Sequence, residues 1–126
     1  MTRWVLLRHD LPNGSHHFDW LIELPIWGEH RLLAWRLETP APIEPDAPSF
    51  RAEPIPLHRA HYLTFEGPLS GGRGRVTRIA AGPGRLLART PDACRIEIEH
   101  AGAHIRFAGA PARAASLFEF TRQPPA

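Results

Sequence analysis

The chain has 126 residues, 43% hydrophobic and 22% charged, with a formal net charge of +2. That is enough for one domain with a buried core, and no apolar run reaches the ~18 residues of a membrane-spanning helix. All fifteen basic residues are arginine, which excludes Schiff-base chemistry, a lysyl-nucleotidyl intermediate and the phosphate-binding lysine of a P-loop.

The single cysteine, Cys94, excludes an internal disulfide and fits a reducing compartment, so the expectation is a cytoplasmic protein; the opening residues carry no signal-peptide pattern. With so small a net charge, binding to nucleic acid would require arginines gathered on one surface. Without that, they are a solvated face.

Fourteen prolines and ten glycines forecast short strands and many turns. Residues 4–8 (WVLLR) form the first predicted strand, Pro12-Asn13-Gly14-Ser15 a turn, and residues 17–24 an alternating second strand. A turn over 25–29 leads to a third strand at 30–37, a segment whose pattern also suits a short helix. Six prolines between 40 and 56 predict an extended surface loop with one edge strand near Phe50-Arg51. Short strands are expected at 74–80 and 85–89, divided by a Gly82-Pro83-Gly84 turn, then at 95–100, 103–107 and 117–122, with one helical turn at 110–115. Strands at this spacing predict a mostly-β single domain over residues 1–126, a small antiparallel barrel or sandwich with short helical turns.

Side chains alternate between the faces of a strand. In the second strand Phe18, Trp20 and Ile22 form a core face, while His17, Asp19, Leu21 and Glu23 share the other. His9 ends the first strand, and an antiparallel hairpin would bring it beside His17 and Asp19. Two imidazoles and a carboxylate can hold Mn, Fe or Zn; the same spacing also suits the wet face of a polar hairpin. His58, His61 and Tyr62 form a second cluster, compatible with a helical turn or an irregular loop. Cys94 has no clear base partner and reads as a small buried residue. The Gly-rich stretch GPLSGGRGR lacks the P-loop Lys-Ser/Thr and reads as a hairpin turn whose Arg73 and Arg75 can meet a phosphate backbone.

Taken in order, the segments RHD, HHFDWLIE, LLAWRLE and HRAHYLTFEG resemble the 3'-phosphoesterase module of bacterial DNA ligase D, a family also known as stand-alone proteins. In that family a strand ending Lys-His-Asp precedes Leu-His-Tyr-Asp-Phe-Arg-Leu-Glu, then a Ser-Trp strand and His-Pro-Leu-Asp-Tyr-x-x-Phe-Glu-Gly. The likeness covers nearly the whole chain. It implies a small β-barrel with flanking helical elements, and it implies His9, His17 and Asp19 as ligands of a divalent metal, Mn first and Zn or another transition metal as alternatives. His58 and Tyr62 would contact the phosphate as catalytic groups. The implied reaction trims a 3'-phosphate or 3'-ribonucleotide from DNA ends in end-joining repair. Its partners would be DNA or DNA/RNA 3' ends, with a repair ligase, polymerase or end-binding protein alongside a monomeric chain.

The sequence departs from the family at the phosphate clamp. Leu21 stands where the family has arginine, Leu7 where it has glutamine and Pro56 where it has an acidic residue. Leucine cannot donate a hydrogen bond to phosphate. Candidate contacts to phosphate or nucleic acid are Arg8, Arg51, Arg59, Arg73 and Arg75; Arg36 is a further cation whose position the sequence leaves open. A depleted clamp with the metal residues kept allows a second expectation: a weakened or inactive module that binds nucleic-acid ends or a repair protein.

Overall fold

The computed structural model describes residues 2–26, 29–113 and 116–124. Its strands are β1 (Arg3–Asp10), β2 (His16–Ile26), β3 (Glu29–Leu37), β4 (Ser49–Arg59), β5 (Gly67–Pro68), β6 (Arg75–Thr90), β7 (Ala93–His100), β8 (Ala103–Pro111) and β9 (Phe118–Arg122). Eight of them close into an antiparallel barrel in the order β1-β2-β3-β4-β9-β8-β7-β6, the ring being completed by β6 pairing with β1. The two-residue β5 lies along the start of β6. Among the described residues the helical elements are single 3-10 turns at Ala41–Ile43, Ala60–Leu63 and Ser70–Gly72. None of the described helices is long and apolar enough to cross a membrane.

Closure turns the alternation of each strand into an inside and an outside. Trp4 and Leu6 of β1, Phe18, Trp20 and Ile22 of β2, Trp35 of β3, Ile96 and Ile98 of β7, Phe107 of β8 and Phe120 of β9 fill the interior. The rings meet edge to face: Trp20 lies 5.2 Å from Phe107 and 5.4 Å from Phe120, and Trp35 4.9 Å from Phe120. Such pairs contribute about 0.5–1.5 kcal/mol each beyond the area they bury. Gly109 makes room for this cluster, since a Cβ there would lie 2.5 Å from the Phe120 ring.

A second apolar layer sits on the outer wall. Val5, Leu7, Leu21, Leu32, Ala34 and Val76 are buried beneath Leu63, with Tyr62, Phe65 and Leu69 packed against them. Residues 60–69 thus roof the outer face of β1, β2 and β3. The outer face of β2 is therefore not a wet hairpin surface: Asp19, Leu21 and Glu23 are all buried.

Several local expectations are corrected. Pro54 and Pro56 lie inside β4, which runs to Arg59, rather than in a loop. The strand changes partner, Ser49–Ala52 pairing with β9 and residues 53–59 with β3, so both prolines sit where one edge is unpaired and no ladder donor is needed there. Gly82-Pro83-Gly84 is not a turn either: β6 runs straight through it. A Cβ on Gly84 would lie 2.7 Å from Trp4 Cδ1, and one on Gly82 3.2 Å from Trp4 Nε1, so these glycines let the indole rest on the strand backbone while its N–H donates to the Glu99 carbonyl at 3.1 Å. The third strand over 30–37 is present as expected, so the alternative of a short helix does not apply. Pro25 and Ile26 extend β2, with 27–28 outside the described residues, and Ala110 and Pro111 belong to β8, with 114–115 likewise outside.

Candidate metal centre

β1 and β2 form a hairpin whose register sets His9 directly opposite His17 and Leu7 opposite Asp19. The Asn13 side chain accepts from the Ser15 N–H at 3.0 Å inside the turn, an Asx arrangement that helps hold the hairpin. His9, His17 and Asp19 all point to the outer face, and one ligand atom from each lies within 4.8 Å of the other two. Among the described residues this is the group that can hold a metal ion. His9 Nδ1 is 3.3 Å from His17 Nε2, which is in turn 3.3 Å from Asp19 Oδ1.

The hydrogen-bonding pattern around this group decides what it fits. His9 Nε2 lies 2.8 Å from the Arg73 carbonyl; a carbonyl only accepts, so Nε2 carries the proton and a neutral His9 turns its Nδ1 lone pair toward the other two residues. A backbone acceptor behind a histidine is the arrangement that orients metal ligands. Asp19 Oδ1 is buried without a well-formed hydrogen bond, the His17 nitrogen lying 3.3 Å away. Burial pushes the His17 imidazole below its ordinary value, Arg36 and His9 add to this, and Asp19 opposes it. Two imidazole nitrogens and a carboxylate oxygen thus converge on one point, which is a donor set suited to a divalent cation.

The support for His9 arrives from far along the chain. Ser70–Gly72 and the following Arg73 and Gly74 close back on β1, with Leu69 N–H donating to the Gly74 carbonyl at 2.8 Å. Gly74 has φ +98°, and a Cβ there would collide with the Asp10 carbonyl oxygen. Only glycine allows the loop to approach β1 this closely, which brings the Arg73 carbonyl onto His9. The Arg73 carbonyl, rather than the side chain expected from the sequence, serves this group, and a backbone acceptor has no sequence signature beyond the glycines around it.

The other expected site residues are dispersed. His58 is on β4 opposite Leu32, which itself stands opposite Glu23. Glu23 is four residues along β2 from Asp19, about 13 Å at the rise of a strand. The His58 ring is 5.6 Å from Tyr62, whose own ring packs on the outer apolar layer. His58 and Tyr62 therefore meet each other, and His58 does not belong to the convergent group. Arg8 is paired with Asp10 at 3.1 Å, Arg51 with Glu119 at 3.7 Å, and the Arg73 guanidinium folds onto Ser70. Arg59 is exposed opposite Arg31, and Arg75 is exposed opposite Asp10. Leu7 and Leu21 are fully buried in the outer apolar layer.

No known protein family matches the chain, and no curated protein is significantly similar to it.

Proposed function

We propose that the chain is a metal-dependent phosphoesterase acting on 3' ends of nucleic acid, DNA or mixed DNA/RNA, with Mn the first ion to test. The observation that carries the proposal is the convergence of His9, His17 and Asp19 around a buried carboxylate oxygen that has no other partner. Lewis-acid polarisation of a phosphoryl oxygen is the chemistry a divalent ion supplies in such a site. The chain's own contribution is to hold the donors. His9 is oriented by the Arg73 carbonyl, Asp19 supplies the negative charge, and the apolar layer through Leu7 and Leu21 keeps water away from the floor of the site. The likeness of RHD, HHFDWLIE and HRAHYLTFEG to the DNA ligase D module supports the substrate class and a place in end repair beside a ligase, polymerase or end-binding protein.

A second reading has its own observation: the clamp position Leu21 is fully buried and His58 stands away from the three donors. On that reading the protein binds metal and nucleic-acid ends without hydrolysing them.

One experiment separates the two. The protein is titrated with Mn by calorimetry and then incubated with a primer-template carrying a 3'-phosphate, alongside His17→Ala. Release of phosphate by the parent and its loss in the variant is the expected result. Stoichiometric Mn binding with unchanged ends supports the binding module, and absence of Mn binding refutes the metal centre.

A further inference from the structure

The centre lacks a cation from β1 and β2, where Leu7 and Leu21 take the available outward positions. β3 supplies one. Arg36 is the direct register partner of Asp19 across β2 and β3. It shares the outward alternation of Ala34 and Leu32, both in the outer layer, but unlike them it is exposed. Side chains directly opposite across two strands start about 5 Å apart at Cβ, so the guanidinium is within reach of the three donor atoms. Two carboxylates flank it in register, Asp19 on β2 and Glu53 on β4, yet among the described residues it forms an ion pair with neither. Arg8, Arg51 and Arg73, by contrast, are each tied to other groups.

We propose that Arg36 is the anion-contacting residue of the His9–His17–Asp19 centre, so that the site takes a ligand presenting phosphate oxygens to both the donors and the guanidinium. This rests on the metal reading above and assigns its substrate contact to β3. A guanidinium presents a planar fork matching two phosphate oxygens, which an ammonium cannot reproduce. Leucine at 21 is then compatible with anion recognition, because the charge comes from the neighbouring strand.

The test uses the full chain loaded with Mn, with inorganic phosphate as the probe. Mn stoichiometry is read by calorimetry for the parent, Arg36→Gln, Arg36→Lys and the remote control Arg95→Gln, and phosphate is then titrated into each Mn-loaded protein. The expected result is unchanged Mn binding throughout and a loss of phosphate affinity of about tenfold or more in Arg36→Gln, the size of one charge-assisted hydrogen bond. Arg36→Lys recovers part of the affinity and Arg95→Gln matches the parent. Equal phosphate affinity in parent and Arg36→Gln overturns the proposal while leaving the metal centre standing, as does Mn binding with no phosphate binding in the parent. No Mn binding in the parent removes the metal reading, and this proposal with it. Should Arg36→Gln not fold, Arg36→Lys decides: phosphate affinity equal to the parent overturns the fork contact.

Discussion

The most consequential single group is the carboxylate of Asp19, buried at 5% exposure with one oxygen unpartnered. Leaving a buried charged oxygen without a partner costs at least about 1–3 kcal/mol, a cost a bound cation would remove. Asp19→Asn is therefore expected to leave the metal-free protein no less stable while abolishing the rise in Tm on adding Mn. A variant that melts well below the parent without metal, yet still responds to Mn, contradicts this. A second buried group makes an independent check on the core. Burial pushes the Cys94 thiol up to about 11, so at pH 8 only about a thousandth of it is thiolate. Alkylation of Cys94 in the native protein at pH 8 should be very slow and should become rapid in denaturant, as followed by mass spectrometry. Fast labelling in the native state would show that β7 does not seal the barrel interior.

At the scale of elements, two glycine segments that look alike in sequence do different work. Gly84 makes space for Trp4, and Gly74 lets the 70–74 loop close on β1. Gly84→Ala forces a methyl against the indole and should destabilise the fold by about 1–3 kcal/mol while leaving Mn affinity unchanged. Gly74→Ala should do the reverse in emphasis, displacing the Arg73 carbonyl from His9 and weakening Mn binding by about 10- to 100-fold, the usual effect of losing a group that orients a metal ligand. Denaturant midpoints and calorimetry on both variants check the contrast, and equal Mn affinity in the two would remove the role assigned to the loop. The strands themselves were largely legible. The period-two pattern of Phe18, Trp20 and Ile22 against His17, Asp19, Leu21 and Glu23 predicted both faces of β2, because alternation is a local property of extended backbone. The prolines of β4 and the Gly-Pro-Gly of β6 misled, because whether a strand tolerates a missing N–H or side chain depends on which neighbour lies beside it.

At the scale of the whole molecule, the part of the barrel wall made by β6, β7 and β8 carries a charge cluster. Glu97 on β7 accepts from Arg106 of β8 at 2.7 Å, with Arg85 of β6 at 3.6 Å and His104 at 3.7 Å. The Arg106 hydrogen bond, helped by Arg85 and His104, holds the Glu97 carboxyl below its ordinary value of 4.5. A depressed folded value means the unfolded chain binds the proton more readily, so the stabilisation is fully present above pH 4.5 and is lost as pH falls from there through the folded value. Thermal unfolding of the parent and Glu97→Gln between pH 3 and 7 should show a smaller acid-side loss of Tm in the variant. Superimposable profiles would mean the three-strand cluster contributes nothing to closure.

The sequence by itself determined most of the strands, the apolar inner face and the pairing of His17 with Asp19 on one side of β2, since each follows from residues a few positions apart. It also brought His9 to His17, because a short Asn-Gly turn leaves the hairpin few registers. The tertiary structure decided that the apolar outer layer beside those residues is covered by residues 60–69, that Arg73 lends a carbonyl to His9, that His58 stands apart, and that Arg36 faces Asp19. These depend on which strands become neighbours when the sheet closes and on which distant segment crosses the barrel wall. Contacts of that kind, between residues tens of positions apart, leave no periodicity in the chain.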